Sequence, residues 1–416
     1  VNHLKLDANS RISLSNNDSS GQVGTTLFGY QAGNAIVDGD DNNTMIGHQA
    51  GLLTTGAYNT YLGCFAGKGA SGADTGNVGI GESSLNDITS GASNVAIGYT
   101  AGKATTTGTG NVAIGSHYDS TYKAAMVTNT VGVECVAIGT GALQTANEND
   151  NDGTVAIGYA ACRAQVGTGG AQYDNATTAV GYKALTALTT GKENVAIGYL
   201  AATAHTTGDG NTIVGHNAFK TMATGGASNV VIGKTAGQTM NNSGSHQNVI
   251  IGSGAMGGGT AQQNNNVAVG YATLGSIANN AQQGSVAVGS NALGALTSGS
   301  GNIAIGYLAA TGITTGTNNI AIGYQAFDSA NGAEDNNIAI GLSALGNADH
   351  DDMERNIAIG NYSGDGMGAY ANLDNIFMGH GTGGGTWASA CVQNIAIGHY
   401  AMDAAMNDAD SNVAVG

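Results

Sequence analysis

From one end of the chain to the other, polar and apolar positions follow one short pattern. A polar residue is followed by a β-branched one, a small one, a large apolar one and then glycine, as in Asn194-Val195-Ala196-Ile197-Gly198. The glycine falls at 29, 47, 63, 81, 98, 115, 139, 158, 181, 198, 215, 233, 252, 270, 289, 306, 323, 341, 360, 379, 398 and 416. These are 22 copies, and 19 of the 21 intervals span 16 to 19 residues. Counting from the glycine, position −3 is Val, Ile or Thr in all 22, position −1 is large and apolar in all 22, and position −2 is Ala in 14. Residues two apart share one face of a strand. The pattern therefore predicts a short strand whose −3 and −1 side chains form the packed face. The Ala at −2 is expected to turn the other way, toward a closely approaching backbone. Position −4 is Asn in 17 copies, including Asn94, Asn111, Asn194, Asn302 and Asn319. Asn favours turns, and stacked once per coil its amide can bond to the amides above and below. The glycine, as at Gly98, Gly115, Gly198, Gly306 and Gly323, implies a positive φ or a tight backbone contact.

A second pattern follows the glycine. Position +1 is Tyr in eight copies and His in four, +3 is Ala in 16 of 21, and +4 is often Leu, Phe or Met with Gly as the common substitute. A second short strand or a turn fits this stretch. Loops such as Thr189-Thr190-Gly191 then close the coil with turn chemistry. A short unit repeated this often makes a solenoid. The expected fold is all-β, a parallel β-roll or β-solenoid of about 22 short coils. A helical solenoid would need apolar residues at three-and-four spacing, which the tight alternation lacks. Residues 1–23 read as a lead-in segment and 24–416 as one continuous repeat shaft. The chain opens at Val1 and stops at Gly416 inside a repeat, so it reads as a fragment of a longer polypeptide.

Composition narrows the function. Gly is 70 of 416 residues, Pro is absent and only 9% of residues are charged. The net charge of −17 opposes nucleic-acid binding, which needs clustered Lys and Arg. No apolar run reaches the length of a membrane span. The four cysteines, Cys64, Cys135, Cys162 and Cys391, occupy different places in the repeat and form no CxxC pair. They read as packed free thiols. Apolar residues at −3/−1 and again at +4 exceed what one narrow roll can cover, so the chain is expected to associate with copies of itself.

The units Asn194-Val195-Ala196-Ile197-Gly198-Tyr199 and Asn302-Ile303-Ala304-Ile305-Gly306-Tyr307 resemble two related groups. One is the head of bacterial trimeric autotransporter adhesins. The other is the shaft of bacteriophage tail or capsid fibres, especially those of marine phages and cyanophages. The stretch from Leu4 to Asp18, followed by Thr26-Leu27-Phe28-Gly29, is similar to the lead-in of such phage fibres, and the long Thr-Thr-Gly loops favour the phage group. The resemblance implies a left-handed roll, a homotrimer, and a role as the structural shaft of a virion appendage in host attachment. Its partners would be other virion proteins and a glycan or protein receptor on the host cell, and its place the virion or extracellular space. The alternative is a bacterial surface adhesin head. A glycan-cleaving tailspike is a minor alternative, because no recurring acidic pair projects from the rungs.

Candidate chemistry is sparse. No phosphate loop, HExxH or Ser-His-Asp pattern stands out, so no enzyme, catalytic residue or cofactor is expected. The histidines His48, His216, His380 and His399 replace Tyr at +1 and read as stacked side chains. Acidic loops occur at 38–41, 148–152 and 349–352. They read as solvated tips, with Ca²⁺ held between copies as the alternative. Two long intervals, Gly115 to Gly139 and Gly158 to Gly181, carry Tyr118, Tyr122 and Tyr173, and a Gly-rich loop carries Trp387, the only tryptophan. These four aromatics are candidate receptor contacts able to stack on sugar rings. For Trp387 the alternative is a plug between neighbouring copies.

Overall fold

The computed structural model describes residues 10–13, 23–69, 72–146, 152–166, 176–277 and 280–416. They divide into two compact units, Val1–Gly210 and Asn211–Gly416. Each is a parallel β-solenoid, and no helix occurs among the described residues.

In the first unit β1 (Ser10–Ser13) pairs antiparallel with β2 (Thr26–Tyr30), Ser10 opposite Tyr30. It covers the edge of β2 that faces away from the stack, an edge that would otherwise offer unpaired backbone. The first repeat strand then stacks in parallel on β3 (Thr44–Ile46), β4 (Thr60–Leu62), β5 (Val78–Ile80), β6 (Val95–Ile97), β7 (Val112–Ile114), β8 (Val136–Ile138), β9 (Val155–Ile157), β10 (Thr178–Val180) and β11 (Val195–Ile197). In the second unit the main ladder is β12 (Thr212–Val214), β13 (Val230–Ile232), β14 (Val249–Ile251), β16 (Val267–Val269), β18 (Val286–Val288), β19 (Ile303–Ile305), β20 (Ile320–Ile322), β21 (Ile338–Ile340), β22 (Ile357–Ile359), β23 (Ile376–Met378), β24 (Ile395–Ile397) and β25 (Val413–Val415). A small side ladder joins β15 (Gln263–Asn264) to β17 (Gln282–Gln283). The pairing keeps like over like, for example Ile303 over Ile320 and Ala304 over Ala321.

Two expectations need correction. The stretch after the glycine is a turn, so most coils carry one three-residue strand rather than two. Positions +2 and +4 adopt left-handed backbone without glycine, as at Lys183 (φ 54°) and Leu185 (φ 49°). Each such residue costs about 1–2 kcal/mol, and burial of the Leu185 side chain offsets it. The faces of the strand are also reversed. The small −2 residue points inward, with Ala96, Ala196, Ala304 and Ala321 fully buried, whereas −3 and −1 point outward. The reason is cross-section. The +3 Ala and +4 Leu or Phe of the same coil already fill the interior, as Ala184, Leu185, Ala326 and Phe327 do. Where −2 is Leu27, Met45, Tyr61 or Phe377, +4 is glycine, whereas Ile213 and Ile250 coexist with Phe219 and Met256. A Cβ on Gly51 would lie 2.2 Å from Met45, one on Gly67 2.4 Å from Tyr61, and one on Gly383 2.8 Å from Phe377.

The motif glycine meets both demands placed on it. Gly323 has φ 145°, and a Cβ there would sit 2.2 Å from the carbonyl oxygen of Gly341 in the next coil. At the other end of the strand, asparagines link coil to coil. Asn94 Nδ2 donates to Asn77 Oδ1 (3.1 Å) and to the Gly108 carbonyl (2.8 Å). Asn94 Oδ1 accepts from both the backbone N–H (3.1 Å) and the Nδ2 (3.0 Å) of Asn111. The same links join Asn302 to Asn319 and Asn319 to Asn337. The amides are buried, and in Asn94 and Asn319 both amide donors and the acceptor are used.

Candidate functional site

The outward strand face is a feature that sequence patterning creates and the fold leaves partly uncovered. Parallel register stacks the −1 residues into a column and the −3 residues into a second beside it. Ile97, Ile197, Ile305 and Ile397 are each about 40% exposed. The +1 side chains, on the same side by strand alternation, form a third column. Tyr159, Tyr182 and Tyr199 stack with centroids 5.3 and 5.2 Å apart and near-parallel rings, and Tyr307 stacks on Tyr324 at 5.2 Å. His48 takes its place in such a column beside Tyr30, and His380 stacks on His399 at 5.0 Å. This face is apolar, polarizable and regular, with imidazoles taking tyrosine places in its aromatic column.

No family model matches the chain, and no curated protein matches it. The functional reading therefore rests on the geometry.

The four candidate aromatics separate. Tyr118 projects from the surface, about three-quarters exposed, on a turn whose Asp119 carboxylate accepts the N–H groups of Thr121 and Tyr122 at 2.8 Å each. Those bonds hold the Asp119 carboxyl below the usual range. Tyr122 instead leans on Tyr159 (4.7 Å) and extends the tyrosine column, flanked by Arg163 and Lys183 at 5.3 and 5.6 Å from its ring. Tyr173 lies outside the described residues. Trp387 is no exposed platform: it is 2% exposed and packs edge-on against Phe377 within its own chain. The structure does not bring these aromatics together into one site.

In the acidic loops, Asp40 and Asp41 accept backbone N–H groups of Val37 and Val23. Residues 148–151 lie outside the described residues, and the Asp152 carboxylate accepts the Val133 N–H at 2.6 Å. The loop at 349–352 borders an open depression of about 410 Å³. No three His, Cys, Asp or Glu side chains converge for a metal among the described residues. Burial pushes the Cys135 thiol up to about 12 and raises Cys162 further; such thiols are poor nucleophiles at neutral pH.

The sequence reading missed two things. The exposure of −3/−1 was encoded in the volume trade between −2 and +4. A recurrence of Asp in every second coil from Gly323 to Gly398, treated below, was visible as spacing but lost among the more frequent motif positions.

Proposed function

We propose that this chain is a shaft segment of an extracellular attachment fibre, of the kind bacteriophages carry, in which three copies pack through their outward strand faces. The carrying observation is the uncovered Val/Ile face with its aromatic column. Exposed apolar columns of this regularity call for a partner of matching period, and a second and third copy of the same chain supply it under closed symmetry. The function is mechanical. Coil-to-coil backbone pairing and asparagine links stiffen the segment along the stack, and loops such as that of Tyr118 offer repeated weak contacts to a host surface that gain by avidity. The chain has no catalytic role in this reading.

Light scattering on the purified chain tests it. The proposal expects three times the mass of one chain. Ile305→Lys with Ile322→Lys places charge on the face without entering the interior, and should release monomers that keep their β-sheet circular dichroism. A parent chain that is monomeric at micromolar concentration overturns the reading.

A further inference from the structure

In the last five complete coils, from Gly323 to Gly398, position +5 alternates between acid and glycine. Asp328, Asp365 and Asp403 each stand five residues after a motif glycine, and the coils between them carry Gly346 and Gly384 at that position. At position +2 of the last three of these coils, Tyr362 and Tyr400 flank Gly381. Stacking converts this alternation into adjoining hollows. One, of about 320 Å³, is walled by Tyr362, His380 and Tyr400 with Asp365 and Asp403. The next, about 210 Å³, shares Tyr362 and Asp365 and adds Asp328, Ser343 and Asn347. A third, about 230 Å³, runs from Asp365 over Gly384 to Trp387. The glycines keep the space open: a Cβ on Gly346 would stand 3.0 Å from Asp365 Oδ1, and one on Gly381 2.5 Å from the Tyr400 ring.

The groove's charge is unbalanced. Among the described residues the only ion pairs join Arg355 to Glu354 and Asp374, so none reaches Asp328, Asp365 or Asp403. Asp365 accepts one hydrogen bond, from Asn347 Nδ2 at 2.9 Å. Burial and the neighbouring Asp328 raise its carboxyl above the ordinary range, a strain that a cation would relieve. Aromatic walls attract both the apolar face of a sugar and an ammonium group. Trp387, lining the third hollow, has an indole N–H with no acceptor in the protein. A ligand suited to this wall carries hydroxyls that both donate and accept, together with positive charge.

We propose that the groove from Asp328 to Asp403 binds a linear saccharide bearing protonated amino groups. Rungs lie ~4.8 Å apart, so an oligomer laid along the stack meets a carboxylate every second rung from Asp328 to Asp403, with an aromatic wall between Asp365 and Asp403. The site is built from +2 and +5 on the turn side of the coil, with His380 of the +1 column as a shared wall, and it does not require the strand-face assembly.

The test is calorimetric titration of the full chain with a short glucosamine oligomer just below neutral pH, with its fully N-acetylated counterpart as comparison. The expected result is binding of the amino form at least tenfold tighter than the acetylated form. Asp365→Asn and Asp403→Asn should each weaken it about tenfold, and Asp352→Asn should not. Circular dichroism of each variant establishes folding, and light scattering on the same samples reports assembly separately. Absence of heat, equal binding of the two oligomers, or unchanged binding in folded Asp365→Asn each overturns the proposal. None of these outcomes bears on the three-copy shaft, which the mass alone decides.

Discussion

Replacing Asn94 by Ala removes one link of the asparagine chain, and the structure gives its cost. Both Nδ2 bonds, to Asn77 Oδ1 and the Gly108 carbonyl, are lost, as are both bonds accepted from Asn111. Some partners are only partly deprived: Asn77 Oδ1 still accepts the residue-94 backbone N–H, and Asn111 Nδ2 still donates to the Gly132 carbonyl. The Asn111 backbone N–H keeps nothing. A buried unsatisfied donor costs about 1–3 kcal/mol and each of the three further lost bonds about 1 kcal/mol, so the total is about 4–6 kcal/mol. Coils of a repeat protein open semi-independently, so the loss is read locally, by hydrogen exchange at Asn111 and the strand amides of Val95 and Val112 in the full chain. Protection there should fall by about three to four powers of ten, with little change in the second unit. Thr107→Ala, at an exposed site, is the control. Asn94→Asp separates polarity from shape. It puts an oxygen against Asn77 Oδ1 and the Gly108 carbonyl, so it should be at least as damaging at neutral pH and recover partly in acid. Protection in Asn94→Ala within a factor of about three of the Thr107→Ala control, under 1 kcal/mol, refutes the reasoning.

Other outcomes follow from the same geometry. Ser285 interrupts the links between Asn266 and Asn302, and its buried hydroxyl has no partner; Ser285→Asn should raise stability by about 1 kcal/mol in urea denaturation. Buried Asp74 accepts the Tyr61 hydroxyl at 2.5 Å, and burial lifts its carboxyl from 3.8 to about 6. Because the folded value exceeds the unfolded one, its contribution is full below about pH 4 and lost as pH rises through about 6, about 3 kcal/mol in all. Asp74→Asn should remove that fall, and parallel pH profiles of the two proteins would contradict it. Ala196→Phe should cost about 1–3 kcal/mol by overpacking, and Ala202→Gly, at φ 47°, should restore much of it, a coupling visible in a double-mutant cycle of denaturation midpoints.

Strand positions and the parallel solenoid were legible because both ends of the strand carry unusual residues, Asn at −4 and Gly at the close. Which strand face is the interior was not legible from alternation alone. Val195 and Ile197 look like core by hydropathy, and only the room left by Ala201 and Ala202 on the opposite wall decides for Ala196. The burial of Trp387 was hidden for a related reason. Its Gly-rich surroundings resemble a mobile loop, but Gly364 and Gly383 make room for Phe377, against which the indole packs. The Asp365 groove escaped because its period is two coils, and each coil alone shows one ordinary acid.

The account depends most on the outward strand face being where copies of the chain meet. Single cysteines in a Cys64→Ser background, where the remaining native thiols are buried, test it directly through oxidative cross-linking. Ile197→Cys should give covalently joined chains on a non-reducing gel and Ala196→Cys should not. Joined chains from Ala196→Cys, or none from Ile197→Cys, would contradict it.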